Sequence, residues 1–383
     1  MRPLELYLKQ LTGNLRRLRR NAGLSVEELE HRLILGPGWI SAFEQGESTP
    51  EFEVLLAILH EIGASLGGLA EGLPAPPGSD FGRFLRAEPA GSDLLIRFRY
   101  ARFAATYRLH DATTDEFESV VRTLRNGLAR LARAGGDSDE RNIKTDSVAR
   151  AFLKAVKLWP GANPSDLWWF MIYRAYCDPF NHPAISSDLD FMQSWKRTGG
   201  WALEEVLVRH YGPFLQEHGI GLFIADGDTK GALLSEVDSG DRLESDKVDV
   251  VLTGGEPARL FGVVHVKTSF AERRTDDVPM SVALRDAGYT TPLWTMDCKS
   301  VPSEWPTNSG ELGQSHGRRS AKRRDIEDEA YFTGCFSYNL NTNPSAQSVA
   351  SDRRVYVCDF KDPDDAFSRF IRKRWRTFQK RAT

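Results

Sequence analysis

From Leu6 to about Leu73 the apolar positions recur at helical spacing in short blocks broken by glycine: LKQLTGNLRRLRRNAG, LSVEELEHRLIL, GPGWISAFEQGES and TPEFEVLLAILHEIGASLGGLAEGL. This pattern predicts a compact bundle of short helices, and Ser25 followed by Glu28 is a capping-box spacing that starts one of them. A proline-rich break, PAPPGSD, occupies residues 74–80. Beyond it, LLIRFRYARFAATYRL tends to alternate apolar and basic positions, which predicts one long strand or a hairpin with an arginine-bearing face. A helix is expected from about Thr114 to Arg133, and ARAGGDSDE marks a flexible boundary near residues 135–140. After residue 141 the pattern turns mixed. An aromatic helix opens at Asn163-Pro164, and WALEEVLVRHYGPFLQEHG places Leu203, Val206, Leu207, Tyr211, Phe214 and Leu215 on one face. Strand-like runs follow: GLFIADGD, KVDVVLTG, LFGVVHVKTSF and, after an intervening helical stretch, PLWTMDCKSVP.

A chain of 383 residues exceeds one typical core. The breaks divide it into residues 1–75, a connecting region 76–140, and a larger domain 141–383. Fifty basic and 53 acidic residues give a formal charge of -3, so any polyanion site must come from local clusters. No charged-then-apolar leader and no long uninterrupted apolar stretch is seen, so a cytoplasmic protein without a membrane span is expected. Cys177, Cys298, Cys335 and Cys358 are far apart and form no CxxC pair, which favours buried thiols over zinc or disulfides.

The order LSVEELEHRL, a four-residue turn, WISAFEQGESTPEFEVLLAIL and a closing GASLGGL resembles the helix-turn-helix domain of the Cro/C1 (XRE) repressor type, most specifically in ISAFEQGESTP. The resemblance implies that the helix from about Pro37 to Glu44 lies in a DNA major groove. Trp39 and Ser41 are then its DNA-binding candidates, and Arg16, Arg17, Arg19 and Arg20 face phosphates. Gly36-Pro37-Gly38-Trp39 departs from the family's small polar opening and offers few groups for base edges. A module for dimerisation or non-specific phosphate contact is the competing reading.

Residues 247–277, KVDVVLTGGEPARLFGVVHVKTSFAERRTDD, carry an aspartate on one strand and a lysine ending the next. Preceded by the helix bearing Glu204 and Glu205, this order resembles the PD-(D/E)xK nuclease core. Phosphodiester hydrolysis requires carboxylates that hold Mg2+ and a lysine near the attacking water. Asp249 and Lys267 supply the strand-borne pair, with Glu204 reaching in from the helix. The usual third acid is replaced by His265, and an imidazole is a poor partner for a hard cation. Glu272, Asp276 and Asp277 all lie within ten residues of Lys267, and any one of them could replace it. Asp297-Cys298-Lys299 is a rival D-x-K that leaves the KVDVVL strand without a role.

HVKTSFAERRTDDVP further resembles type II restriction endonucleases of the BsaWI-like, CCGG-recognising group, and the likeness extends loosely from about Ala149 to LWTMDCKSVP. It implies an α/β (α+β) restriction-endonuclease-like core behind an all-α helix-turn-helix domain. It also implies a homodimer that cuts double-stranded DNA at a CCGG-containing palindrome, with catalytic and metal-holding roles for Glu204, Asp249 and Asp277 beside Lys267. Arg273 and Arg274 would contact guanine, and Glu272 cytosine. The cationic run SHGRRSAKRR, with Arg318, Arg319, Lys322 and Arg323, reads as a flexible loop that orders on phosphates. Because of His265, a transcriptional regulator with an inactive nuclease-like domain is the alternative.

Overall fold

The structure is a computed structural model and describes residues 3–73, 83–100, 103–177, 191–236, 248–269, 274–298, 306–313 and 319–381. Contacts divide the chain into two compact units, Met1–Phe81 and Gly82–Thr383. Among the described residues no helix is long and apolar enough to cross a membrane.

The first unit contains α1 (Pro3–Asn21), α2 (Val26–Arg32), α3 (Trp39–Gln45), α4 (Phe52–Glu61) and α5 (Leu66–Leu69). They enclose a core of Leu15, Leu29, Ile40, Phe43, Ile58, Leu59, Ile62 and Leu69. The predicted capping box at Ser25 is present in full. Gly38, before α3, offers no side-chain cap, and Glu30 of α2 takes over that task. Its carboxylate accepts from the backbone N–H of Gly38 (3.0 Å) and of Ile40 (2.8 Å). Arg19 is buried rather than turned to phosphates, and its guanidinium holds Glu44 of α3 at 2.7 Å, with Arg16 joining at 3.2 Å. Arg17 pairs with Glu71, while Arg20 is exposed.

The second unit starts with an antiparallel sheet of β1 (Arg83–Ala90), β2 (Asp93–Tyr100) and β3 (Phe103–Leu109). The hairpin expected from the alternating stretch is β2–β3. The strand before it escaped notice because Pro89 and Glu88 are poor strand formers. Leu94, Ile96, Ala105 and Leu109 turn into the main core. α6 (Thr114–Leu128) continues through a 3-10 turn, Ala129–Arg133, to α7 (Asp137–Leu158). Residues 134–136 join the 3-10 turn to α7 and residues 137–140 are the first turn of α7, so the expected flexible boundary is an ordered junction between packed helices. Arg130 reaches Asp146 at 2.5 Å, and Lys154 donates to the Ser119 carbonyl and Thr123 hydroxyl. The expected connector is thus packed into the second unit.

Next come α8 (Pro164–Cys177), whose Trp168 and Trp169 are buried, and α9 (Phe191–Gln216). The remaining elements are β4 (Ile220–Ile224), α10 (Gly227–Glu236), β5 (Val250–Gly254), β6 (Arg259–Lys267), α11 (Arg274–Asp286), β7 (Leu293–Thr295), α12 (Ala321–Glu327), β8 (Cys335–Ser337), β9 (Val355–Val357) and α13 (Ala366–Arg381). The six strands β4 to β9 lie in sequence order in one sheet, antiparallel from β4 to β6 and parallel from β6 to β9. The β5 and β6 runs are almost wholly buried, as expected for central strands covered on both faces. α13 closes the far end of the sheet, where the Trp375 indole lies so close to Gly254 that a Cβ there would come within 2.7 Å.

Candidate active site

Antiparallel pairing places the start of β5 beside the end of β6, with Val250 opposite Val264. Asp249, immediately before β5, therefore meets Lys267, the last residue of β6. One carboxylate oxygen of Asp249 accepts from the Val266 N–H at 2.9 Å and from Lys267 Nζ at 2.8 Å. The chain then enters α11, whose first turn brings Asp277 Oδ1 to 3.3 Å from the same ammonium. The three side chains are 7 %, 7 % and 0 % exposed, in the order Lys267, Asp249, Asp277. Low exposure keeps the charge interactions from being screened as they are at a surface. Asp249 and Asp277 thus converge on the same ammonium.

Glu204 approaches from α9. Burial pushes its pKa up to about 8, the nearby Asp249 carboxylate pushes the same way, and Lys267, Lys230 and Arg141 oppose the shift. Without an added cation Glu204 is therefore mostly protonated at neutral pH. His265 is fully buried with its ring edge-on to Phe332 at 5.3 Å, and burial lowers its pKa to about 4. It is a neutral interior side chain that adds no charge to the centre.

Among the described residues, no three acidic, imidazole or thiol groups stand ready to close around an ion. Lys267 lies between the two aspartates, so its ammonium is the cation they share in this structure. The donor chemistry nevertheless fits a hard divalent ion, because Asp249, Asp277 and Glu204 offer carboxylate oxygens and His265 is kept out of the set.

Glu272 and Arg273 lie outside the described residues, as does Arg318, and of Arg274 and Asp276 only the backbone, within α11, is described. The flexible-loop reading of the basic run fails where it is described, because α12 begins at Ala321 with Ser320 as its cap. Arg323 is fully buried and gives its donors to Glu327 and to the carbonyls of Gly313 and Asn343. Arg319 pairs with Glu327 and bidentately with Asp328, and Lys322 pairs with Glu311 at 2.8 Å. Acids distant in sequence neutralise this cluster from within. In the first unit Trp39 is half-buried against Phe43, and the Ser41 hydroxyl accepts from Gln45.

The rival Asp297 is structural. Its carboxylate caps the 310–312 turn by accepting from the N–H groups of Glu311 and Leu312 and from the Thr342 hydroxyl. Cys298 is buried on Ser165, and Lys299 lies outside the described residues. Two cations that no motif singles out, Arg141 on α7 and Lys230 on α10, lie within electrostatic reach of Glu204. Their distance along the chain from the strand motif left no local signal.

Residues 10–71 match the family described as "Helix-turn-helix domain". The chain is 41% identical over 236 residues to the type II restriction enzyme AgeI of Thalassovita gelatinovora, covering 59% of this chain and 82% of that enzyme. The crystal structure of the specific restriction endonuclease AgeI–DNA complex superposes with a TM-score of 0.61 at 30% identity, over 76% of this chain and 99% of that one. The pre-specific BsaWI–DNA complex aligns more loosely, with a TM-score of 0.36 and 17% identity over 70% of this chain and 94% of that one. With an acid–lysine centre in a fold shared with one of these enzymes, the chain belongs to the type II restriction enzyme family, as a site-specific DNA endonuclease that also carries a helix-turn-helix domain.

Proposed function

We propose that the protein hydrolyses both strands of duplex DNA at a CCGG-containing palindrome, that its ion is Mg2+, and that it acts as a homodimer. The observation that carries the reading is the convergence of Asp249 and Asp277 on the one ammonium of Lys267. Asp249 and Asp277, with Glu204 once it has lost its proton, would hold the ion. When bound, a divalent ion polarises the scissile phosphate and acidifies a water. Lys267 would be the cation placed to stabilise negative charge at the attacking oxygen. Asp249 remains fixed by the Val266 N–H, so its second oxygen keeps a constant aim. Two strands need two centres, which supports a two-fold assembly on a palindrome. The DNA held by AgeI in its complex supports double-stranded DNA as the partner. Arg273 and Arg274, with Glu272, remain the proposed readers of G·C pairs.

In the first unit, Glu30 already fills the amino end of α3, where a DNA phosphate would otherwise find free N–H groups. That carboxylate and the opening Gly36-Pro37-Gly38 favour a supporting grip on DNA over base reading by Trp39 and Ser41. The test is digestion of a mixed plasmid with Mg2+ by the wild type and by Lys267→Ala. Discrete fragments from the wild type alone support the proposal. Intact DNA with a gel shift from both would point to a regulator with an inactive nuclease fold.

A further inference from the structure

Arg141 occupies an unusual setting for a surface arginine. Its guanidinium lies over the Trp201 ring, 4.2 Å from the centroid, and the residue is exposed. Three acids on the neighbouring helix turns are committed elsewhere. Glu140 pairs with Lys144, Glu205 with Arg209, and Asp146 with Arg130, Arg150 and Arg209. Among the described residues Arg141 makes no ion pair. A guanidinium stacked flat on an indole keeps its N–H edge free and loses little freedom when that edge meets an anion.

The position of the pair gives this free edge a purpose. Trp201 lies three residues before Glu204 on α9, so the two side chains share a helix face. Arg141 is thereby held at the rim of the acidic centre. Lys230, on α10, is only half exposed and pairs with no carboxylate among the described residues. The Glu204 carboxyl feels both charges. In the free protein these two cations act on the carboxylates only at a distance, with no ion pair among the described residues. Beside a polyanion they would act together.

We propose that Arg141, stacked on Trp201, and Lys230 form a clamp for the DNA backbone phosphates flanking the bond that the Asp249–Lys267–Asp277 centre hydrolyses. The proposal rests on the assignment of that centre as the nuclease site. It adds positioning residues that set the register of the scissile phosphate and carry no sequence information. The planar guanidinium suits bidentate contact with two phosphate oxygens, and Lys230 acts as a point charge.

The test uses the full chain in a Lys267→Ala background, which leaves DNA intact. The probe is a short duplex whose sequence is taken from the mapped ends of a wild-type plasmid digest. Arg141→Gln and Lys230→Gln are each expected to weaken binding roughly tenfold and to reduce the slope of log K against log salt by about 0.9, the loss of one phosphate contact. Arg141→Lys is expected to keep the slope while losing part of the affinity. Trp201→Ala is expected to weaken binding without changing the slope. Unchanged slopes and affinities in both glutamine variants would overturn the clamp, as would a slope lost equally in Arg141→Lys and Arg141→Gln. The two readings fail separately. Cutting by Lys267→Ala itself overturns the site, whereas a dead Lys267→Ala with unaltered salt dependence in Arg141→Gln overturns only the clamp.

Discussion

Replacing Lys267 with methionine keeps most of the side-chain volume and removes the charge that two buried carboxylates share. In the wild type its ammonium lies 2.8 Å from Asp249 and 3.3 Å from Asp277, and none of the three groups is more than 7 % exposed. Stranding a buried charge by deleting its partner costs about 3–5 kcal/mol, and here two like charges are left facing one another. With roughly 2–4 °C of Tm per kcal/mol in large domains, the second unit should melt roughly 6–20 °C lower in EDTA. A divalent ion can replace the missing ammonium, so Mg2+ or Mn2+ should raise the variant's Tm more than the wild type's. DNA cleavage should be absent throughout. Calorimetry with and without metal reads all of this. A variant that melts with the wild type in EDTA, or gains nothing extra from metal, would refute the view of Lys267 as the resident cation of the site.

Glu204 has a folded-state pKa of about 8 against an ordinary 4.5, so its contribution to stability is full below the ordinary value and is lost as pH rises through about 8. Urea midpoints of the metal-free protein should therefore fall across that window, and Glu204→Gln should flatten the fall; parallel curves for the two proteins would contradict the shift. Gly254→Ala places a methyl group 2.7 Å from the Trp375 indole and should destabilise by about 1–3 kcal/mol by denaturant titration, an effect that Trp375→Phe partly relieves. In the first unit, Glu30→Ala removes the acceptor for two N–H groups at the start of α3 and should cost about 1 kcal/mol. Hydrogen exchange at Gly38 and Ile40 should then speed up several-fold, and unchanged protection there would show that the carboxylate caps nothing.

The central strands were legible because a buried strand tolerates a charge only where it has a partner, so Asp249 and Lys267 stood out in KVDVVL and VVHVK. Asp277 was one of three acids at similar distance along the chain; only the direction of α11 turns it, fully buried, onto the lysine. The cations of SHGRRSAKRR misled because composition alone cannot show that Glu311, Glu327 and Asp328 fold back to neutralise them. Arg19 misled in the same way, since its partner Glu44 belongs to another helix. The strands β8 and β9, of three residues each, were too short to show a period. Arg141 comes beside Trp201 only through the packing of α7 against α9, which no local pattern announces.

The most direct measurement is anomalous diffraction from crystals of the full-length protein with its cut-site DNA and Mn2+. The expected result is a manganese peak bonded to carboxylate oxygens of both Asp249 and Asp277, with the Lys267 ammonium moved off one of them toward the scissile phosphate. A peak held by other residues, or Lys267 still bridging the two aspartates beside bound metal and DNA, would contradict the site described above.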